Sequence, residues 1–163
     1  MCVLRVSGRR FDPARFLTDS KLEACSVFRV GEPRLKSRPH EAVHDKSGFN
    51  VEVSDSSWDG LPGQVADAIA FLRKHRRSLA KLSSMPDVED ITLDFPLDLR
   101  IDRKNVFTQF DHFPAELVSL AGALGLGLEL SIYPRDLEQL ARSRRRPSPR
   151  RAAGPRKSAL KRV

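Results

Sequence analysis

The sequence predicts a single α+β domain, and three observations lead there. Leu61, Val65, Ala68, Ile69, Leu72, Leu79 and Leu82 recur at about 3.6 residues, which makes one apolar stripe along one long helix. Residues 90–102 alternate instead: Ile91, Leu93, Phe95, Leu97, Leu99 and Ile101 share one side, with Asp90, Thr92, Asp94, Asp98, Arg100 and Asp102 on the other. Strand-like and helix-like runs up to Pro134 then follow the order β-α-β, β-α-β, α-β, punctuated by Gly and Pro.

The elements can be justified in turn. Cys2 to Val6 is β-rich and stops at Ser7-Gly8. Asp12-Pro13 opens a short helix, because Asp caps well and Pro costs nothing at the first helical position. Ala24 to Val30 reads as a second strand, stopped by Gly31 and Pro33. Residues 32–47 are polar, contain two prolines and predict a long surface loop. Phe49, Val51 and Val53 alternate with polar residues as a third strand, which turns through Trp58-Asp59-Gly60 into the long helix over 61–82. Pro96 cannot donate to a ladder and is expected at a sheet edge or a bend. Residues 114–124 predict a helix ended by Gly125, and Leu126, Leu128, Leu130 and Ile132 a last strand before Pro134. The first six elements predict a ferredoxin-like βαββαβ sandwich, an antiparallel sheet with helices on one face, extended by a C-terminal helix and strand.

The net charge of +8 suggests nucleic acid until it is located. Residues 135–163 hold 11 Lys/Arg and 2 Asp/Glu, while residues 1–134 hold 18 and 19, so the domain is near neutral and the basicity belongs to a tail. That tail, rich in Arg, Pro, Ser and Ala, predicts disorder. The domain reading therefore covers 1–134. No apolar run reaches the roughly 18 residues of a membrane span, and residues 1–16 lack the pattern of a secretion signal. Two cysteines, Cys2 and Cys25, make neither a disulfide framework nor a zinc cluster; both read as small buried thiols in strands, in a reducing cytoplasm.

Ser47-Gly48-Phe49-Asn50-Val51, Trp58 ahead of the long helix, and the run Leu124 to Pro134 (LGLGLELSIYP) resemble small bacterial proteins containing a domain of unknown function. The resemblance covers 1–134 and excludes the tail. It implies a small bacterial α+β domain, and such a family supplies no catalytic residues to transfer.

Four features could carry chemistry. His40-Glu41-Ala42-Val43-His44 fits H-E-x-x-H, in which a helix sets two imidazoles over one zinc and the Glu activates water. Its polar flanks, between Pro39 and Gly48, point instead to a surface loop. The row Asp90, Asp94, Asp98 and Asp102 could meet a divalent cation, but carboxylates four residues apart on a strand are separated by about 13 Å, so a solvated face is the simpler reading. On the long helix, His75 reads as a partly buried core residue, and Arg73, Lys74, Arg76, Arg77 and Lys81 as a solvated face pairing with nearby acids. Trp58 serves as a core lid or as a binding platform.

With no catalytic set in view, the leading expectation is a non-enzymatic cytoplasmic domain that binds a protein or a ligand. The first alternative is nucleic-acid association through Arg142, Arg144, Arg145, Arg146, Arg150 and Arg151 of the tail, with steep salt dependence. The second is a zinc-dependent hydrolase built on His40, Glu41 and His44.

Overall fold

The computed structural model describes residues 1–35, 37–58, 60–101 and 106–134. In chain order the elements are β1 (Cys2–Gly8), α1 (Pro13–Asp19), β2 (Ser26–Phe28), β3 (Ser47–Ser54), α2 (Leu61–Lys74), α3 (Arg76–Ser83), β4 (Asp90–Leu99), α4 (Ala115–Ala123) and β5 (Gly127–Pro134). Met1–Tyr133 form one compact unit. The arginines assigned to the tail, together with Asp59 and Asp102, lie outside the described residues.

The class is α+β, with one five-stranded sheet in the order β2-β3-β1-β4-β5. β1 pairs antiparallel with β3, from Val3↔Glu52 to Gly8↔Ser47, and with β4, from Val3↔Asp94 to Ser7↔Asp90. β2 pairs antiparallel with β3. β5 runs the same way as β4: Gly127 sits beside Ile91 and Thr92, and Ser131 reaches Asp94. The sheet is therefore mixed, which corrects the wholly antiparallel sheet expected from the element order. The cause is the connection over 100–126. It is long and contains α4, as a crossover between parallel neighbours requires.

Alternation puts the strands' apolar rows on one face. Cys2, Leu4 and Val6 of β1, Phe49 and Val51 of β3, and Ile91, Leu93, Phe95 and Leu97 of β4 are all buried. α2 lays Leu61, Val65, Ala68 and Leu72 over them, and α1 adds Phe16, whose ring stacks on Phe49 at 5.8 Å. Phe11 closes the group at 6.0 Å from Phe49. Each such ring pair adds about 0.5–1.5 kcal/mol beyond the area it buries. α4 packs on α2 through Leu117 and Ala121.

Local signals explain the helix ends. Asp12 accepts from the amides of Ala14 (3.1 Å) and Arg15 (3.3 Å), with Pro13 just inside α1. Gly125 takes φ +69 after α4, and the Leu126 amide returns to the Ala121 carbonyl at 2.9 Å, a left-handed stop. The long helix expected over 61–82 is instead two helices that meet at His75 (φ −102, ψ 13). Four cations lie within five residues there, Arg73, Lys74, Arg76 and Arg77, and like charges three and four apart oppose a continuous helix. The strand expected over 24–30 shrinks to Ser26–Phe28, and the predicted loop after it folds on itself. Its Pro33 bridges Val43, and the Gly31 amide bonds the His44 carbonyl at 2.8 Å.

Pro96 is not on an edge strand. It lies beyond Asp94, the last β4 residue paired with β1, so its missing N–H interrupts no bond of that ladder. Its carbonyl accepts from Gln64 Nε2 at 3.1 Å. The row of aspartates is not uniformly solvated either. Asp90 is exposed, but the Asp94 side chain is only 2% exposed, ion-paired with Arg5 and bonded by Ser131 Oγ at 2.6 Å. β5 supplies that hydroxyl, and its place beside β4 was not legible in a period of two.

Removing Asp94 leaves Arg5 and Ser131 without their acceptor. Asp94→Ala is expected to cost about 2–3 kcal/mol in urea unfolding, while Asp90→Ala stays within about 0.5 kcal/mol.

Candidate functional site

The H-E-x-x-H segment does not form the helix that zinc chemistry needs. Residues 39–41 are a turn, and Val43 is in the bridge to Pro33. His40 is exposed, Glu41 pairs with Arg38 at 3.3 Å, and the His44 ring stacks on Phe28 with 4.3 Å between centroids. The two imidazoles thus do different jobs, and no group of three metal-ligating side chains occurs among the described residues. Phe28 in turn lies over Gly48, where a Cβ would come within 2.6 Å of its ring. A Cβ there would also clash with the Val6 carbonyl oxygen, so the β1 backbone and the Phe28 ring together require glycine.

Trp58 sits where the sequence placed it, between β3 and α2. Its ring tilts against Tyr133 of β5 at 4.8 Å, and its carbonyl accepts from the Asp98 amide at 3.2 Å. It ties the end of β5 to the β3–α2 turn while leaving 36% of its surface in solvent.

β5 offers a surface that the domain's own strands leave open. It ends the sheet, so among the described residues its outer edge has no strand partner over eight residues. Glu129 and Ser131 point to the open face with Asp94, which puts Leu128, Leu130 and Ile132 on the helix side. Leu128 packs against the core, but Leu130 and Ile132 stay 36% and 48% exposed, as does Val118 of α4 at 49%. No Lys, no Arg and no internal Pro blunts the strand, although edge strands commonly carry one. The opposite edge, β2, is three residues long.

Comparison with known proteins adds no relative. No family model, no curated protein and no solved structure matches the chain. The surface must be read from its own chemistry.

The nucleophiles and titrating groups are dispersed. Cys2 is buried beneath the sheet, and burial, reinforced by the Asp94 charge, pushes its thiol up to about 12. Cys25, expected in the interior, is exposed just before β2, its Sγ against the Asn50 carbonyl at 3.4 Å; the shortened strand leaves it outside the core. His75 is not a core residue but the corner of the α2–α3 kink, with its ring 4.7 Å from Phe71. Partial desolvation, then the Lys74 charge, lowers its pKa below 6.5.

Two measurements follow from these placements. A thiol reagent is expected to modify Cys25 in the native protein and Cys2 only after unfolding. For His75, the unfolded chain takes up the proton first as pH falls, so its contribution is fully present above pH 6.5 and is lost as pH drops through the lowered native value. The stability difference between wild type and His75→Gln, read from urea midpoints, should therefore shift against wild type on going from pH 7.5 to pH 5.

Proposed function

We propose that this is a non-enzymatic binding domain whose working surface is the β5 edge, and that the strand it accepts is β5 of a second copy. The observation that carries this reading is an eight-residue edge strand with exposed Leu130 and Ile132 and no charged guard along its apolar row.

The strand is complementary to itself in one register. A two-fold axis through Leu130 places Leu130 opposite Leu130, Leu128 opposite Ile132 and Glu129 opposite Ser131, so the carboxylates never face each other. Pro134 then falls opposite Leu126, outside the strand, where no ladder bond is asked of it. An axis through Ser131 would bring Pro134 against Leu128, and one through Glu129 would set like charges together.

The finer fold reading belongs to the same proposal. A ferredoxin-like unit of β1 to β4 with α1 and α2, to which α4 and β5 add the associating edge, is supported by the β2-β3-β1-β4 order and its antiparallel pairings. So does the resemblance to small bacterial domains, with the cytoplasm as the setting; no helix among the described residues is long and apolar enough to cross a membrane. Nucleic-acid association through the tail remains a separate reading, favoured by its net +9.

Light scattering on the full chain should give a mass rising with concentration from 18.3 kDa toward twice that value. Ile132→Lys should hold it at the monomer mass with an unchanged circular-dichroism spectrum. In a Cys25→Ser background, Leu130→Cys should form a disulfide-linked dimer on mild oxidation, since directly opposed residues lie about 4.5–5.5 Å apart at Cα. A chain that is monomeric at every concentration, or a Leu130→Cys variant that does not cross-link, overturns the proposal.

A further inference from the structure

We propose a second, independent site: the depression at the α2–α3 kink binds a ligand bearing a chain of two or more phosphates. It has a volume of about 890 Å³ and is walled by the last turn of α2, the first turn of α3, and Asp19 and Lys21 at the end of α1. That volume is within the roughly 300–1,000 Å³ typical of small-molecule sites.

The charges there are not spent within the domain. Arg73 is ion-paired with Glu116, and Lys81, just outside, holds Asp19 at 3.7 Å. Lys21, Lys74, Arg76 and Arg77 make no ion pair among the described residues. Four cations with no ion pair among the described residues thus share one hollow on a domain whose residues 1–134 sum to −1. Of the five cations of the expected solvated basic face, Arg73 and Lys81 found acids, while Lys74, Arg76 and Arg77 line the hollow at the kink.

The lining also selects the ligand. Every residue around the hollow is charged or polar, and the one ring there, His75, is turned against Phe71. An acyl chain would find nothing apolar to pack on, whereas guanidinium forks and ammonium groups match phosphate oxygens. Four positive charges call for a polyvalent anion, which a single carboxylate is not. Asp19 at the rim is neutralised by Lys81, so it does not oppose the charge that arrives.

His75 reports on this site because it stands between two fields. Arg76 and Arg77 lie on the hollow's side with Lys21 at its rim, Lys74 borders both sides, and Glu23, Glu52, Asp55 and Asp67 line the neighbouring clefts that His75 also borders. Bound phosphate would favour the imidazolium. The experiment follows the imidazole C–H resonances of the full chain by NMR against pH, with and without millimolar pyrophosphate and at matched ionic strength, the His75 signal assigned by His75→Gln. The expected result is an upward shift of the His75 midpoint by about 0.5–1 unit, larger than any shift of His40 or His112. The combined Lys21→Ala, Arg76→Ala and Arg77→Ala variant should lose that shift; all three positions are exposed, and its circular-dichroism spectrum should be unchanged. Single Arg77→Ala should reduce it. The proposal fails if His75 moves no more than His40 and His112, if sulfate at the same ionic strength moves it equally, or if the variant responds like wild type.

Discussion

The domain depends on β1 being paired along both edges. Its Cys2, Leu4 and Val6 lie in full burial under α2, and each of its neighbours brings a second apolar row to the same side. Burial of this kind supplies about 1.5–3 kcal/mol per large side chain. The ladder also fixes register: a slip by one residue would turn Leu4 and Val6 to water and Arg5 into the core. Helices, loops and surfaces are arranged around that central strand.

The polar side of the sheet shows how much the neighbours of β1 matter. Arg5 projects onto the open face and meets Asp94 from β4, which Ser131 completes from β5. Three strands contribute to one buried carboxylate, and the cluster pins β5 in place next to β4. Trp58 against Tyr133 anchors the far end of the same strand. β5 is thus held on its inner side, while Leu130 and Ile132 stay part-exposed and no strand among the described residues pairs with its outer edge. A rigid, preorganised edge loses little entropy when another strand adds to it.

The break at His75 has a comparable double consequence. On a straight helix Arg73, Lys74, Arg76 and Arg77 would share one face within about 160° of arc, with Arg73, Arg76 and Arg77 crowded three and four residues apart. The kink keeps Leu72, Leu79 and Leu82 on the core and gathers the cations about one hollow facing Lys21. Local repulsion within the helix and convergence across it have one cause, a run of like charge that the apolar stripe does not allow to unwind.

Sequence alone determined what depends on neighbours along the chain. The apolar stripe of Leu61 to Leu82, the alternation within 90–102, the Asp12 cap and the Gly125 stop follow from periods and caps set within a few residues; the cap, the stop and a strand over Asp90–Leu99 form, while two helices broken at His75 carry the stripe expected of one. It was silent on what depends on neighbours in space. Asp94 and Asp98 look alike in a period of two, but only Asp94 has Arg5 and Ser131 arriving from other strands. His40 and His44 have the zinc spacing, but spacing acts only through a helix, and the Pro33–Val43 bridge takes that segment elsewhere. Cys25 reads as core until β2 ends short of it. The sense of β5 and the acids that Arg73 and Lys81 find are likewise tertiary decisions, because long-range pairing is selected by the burial of whole faces and leaves no local pattern to read.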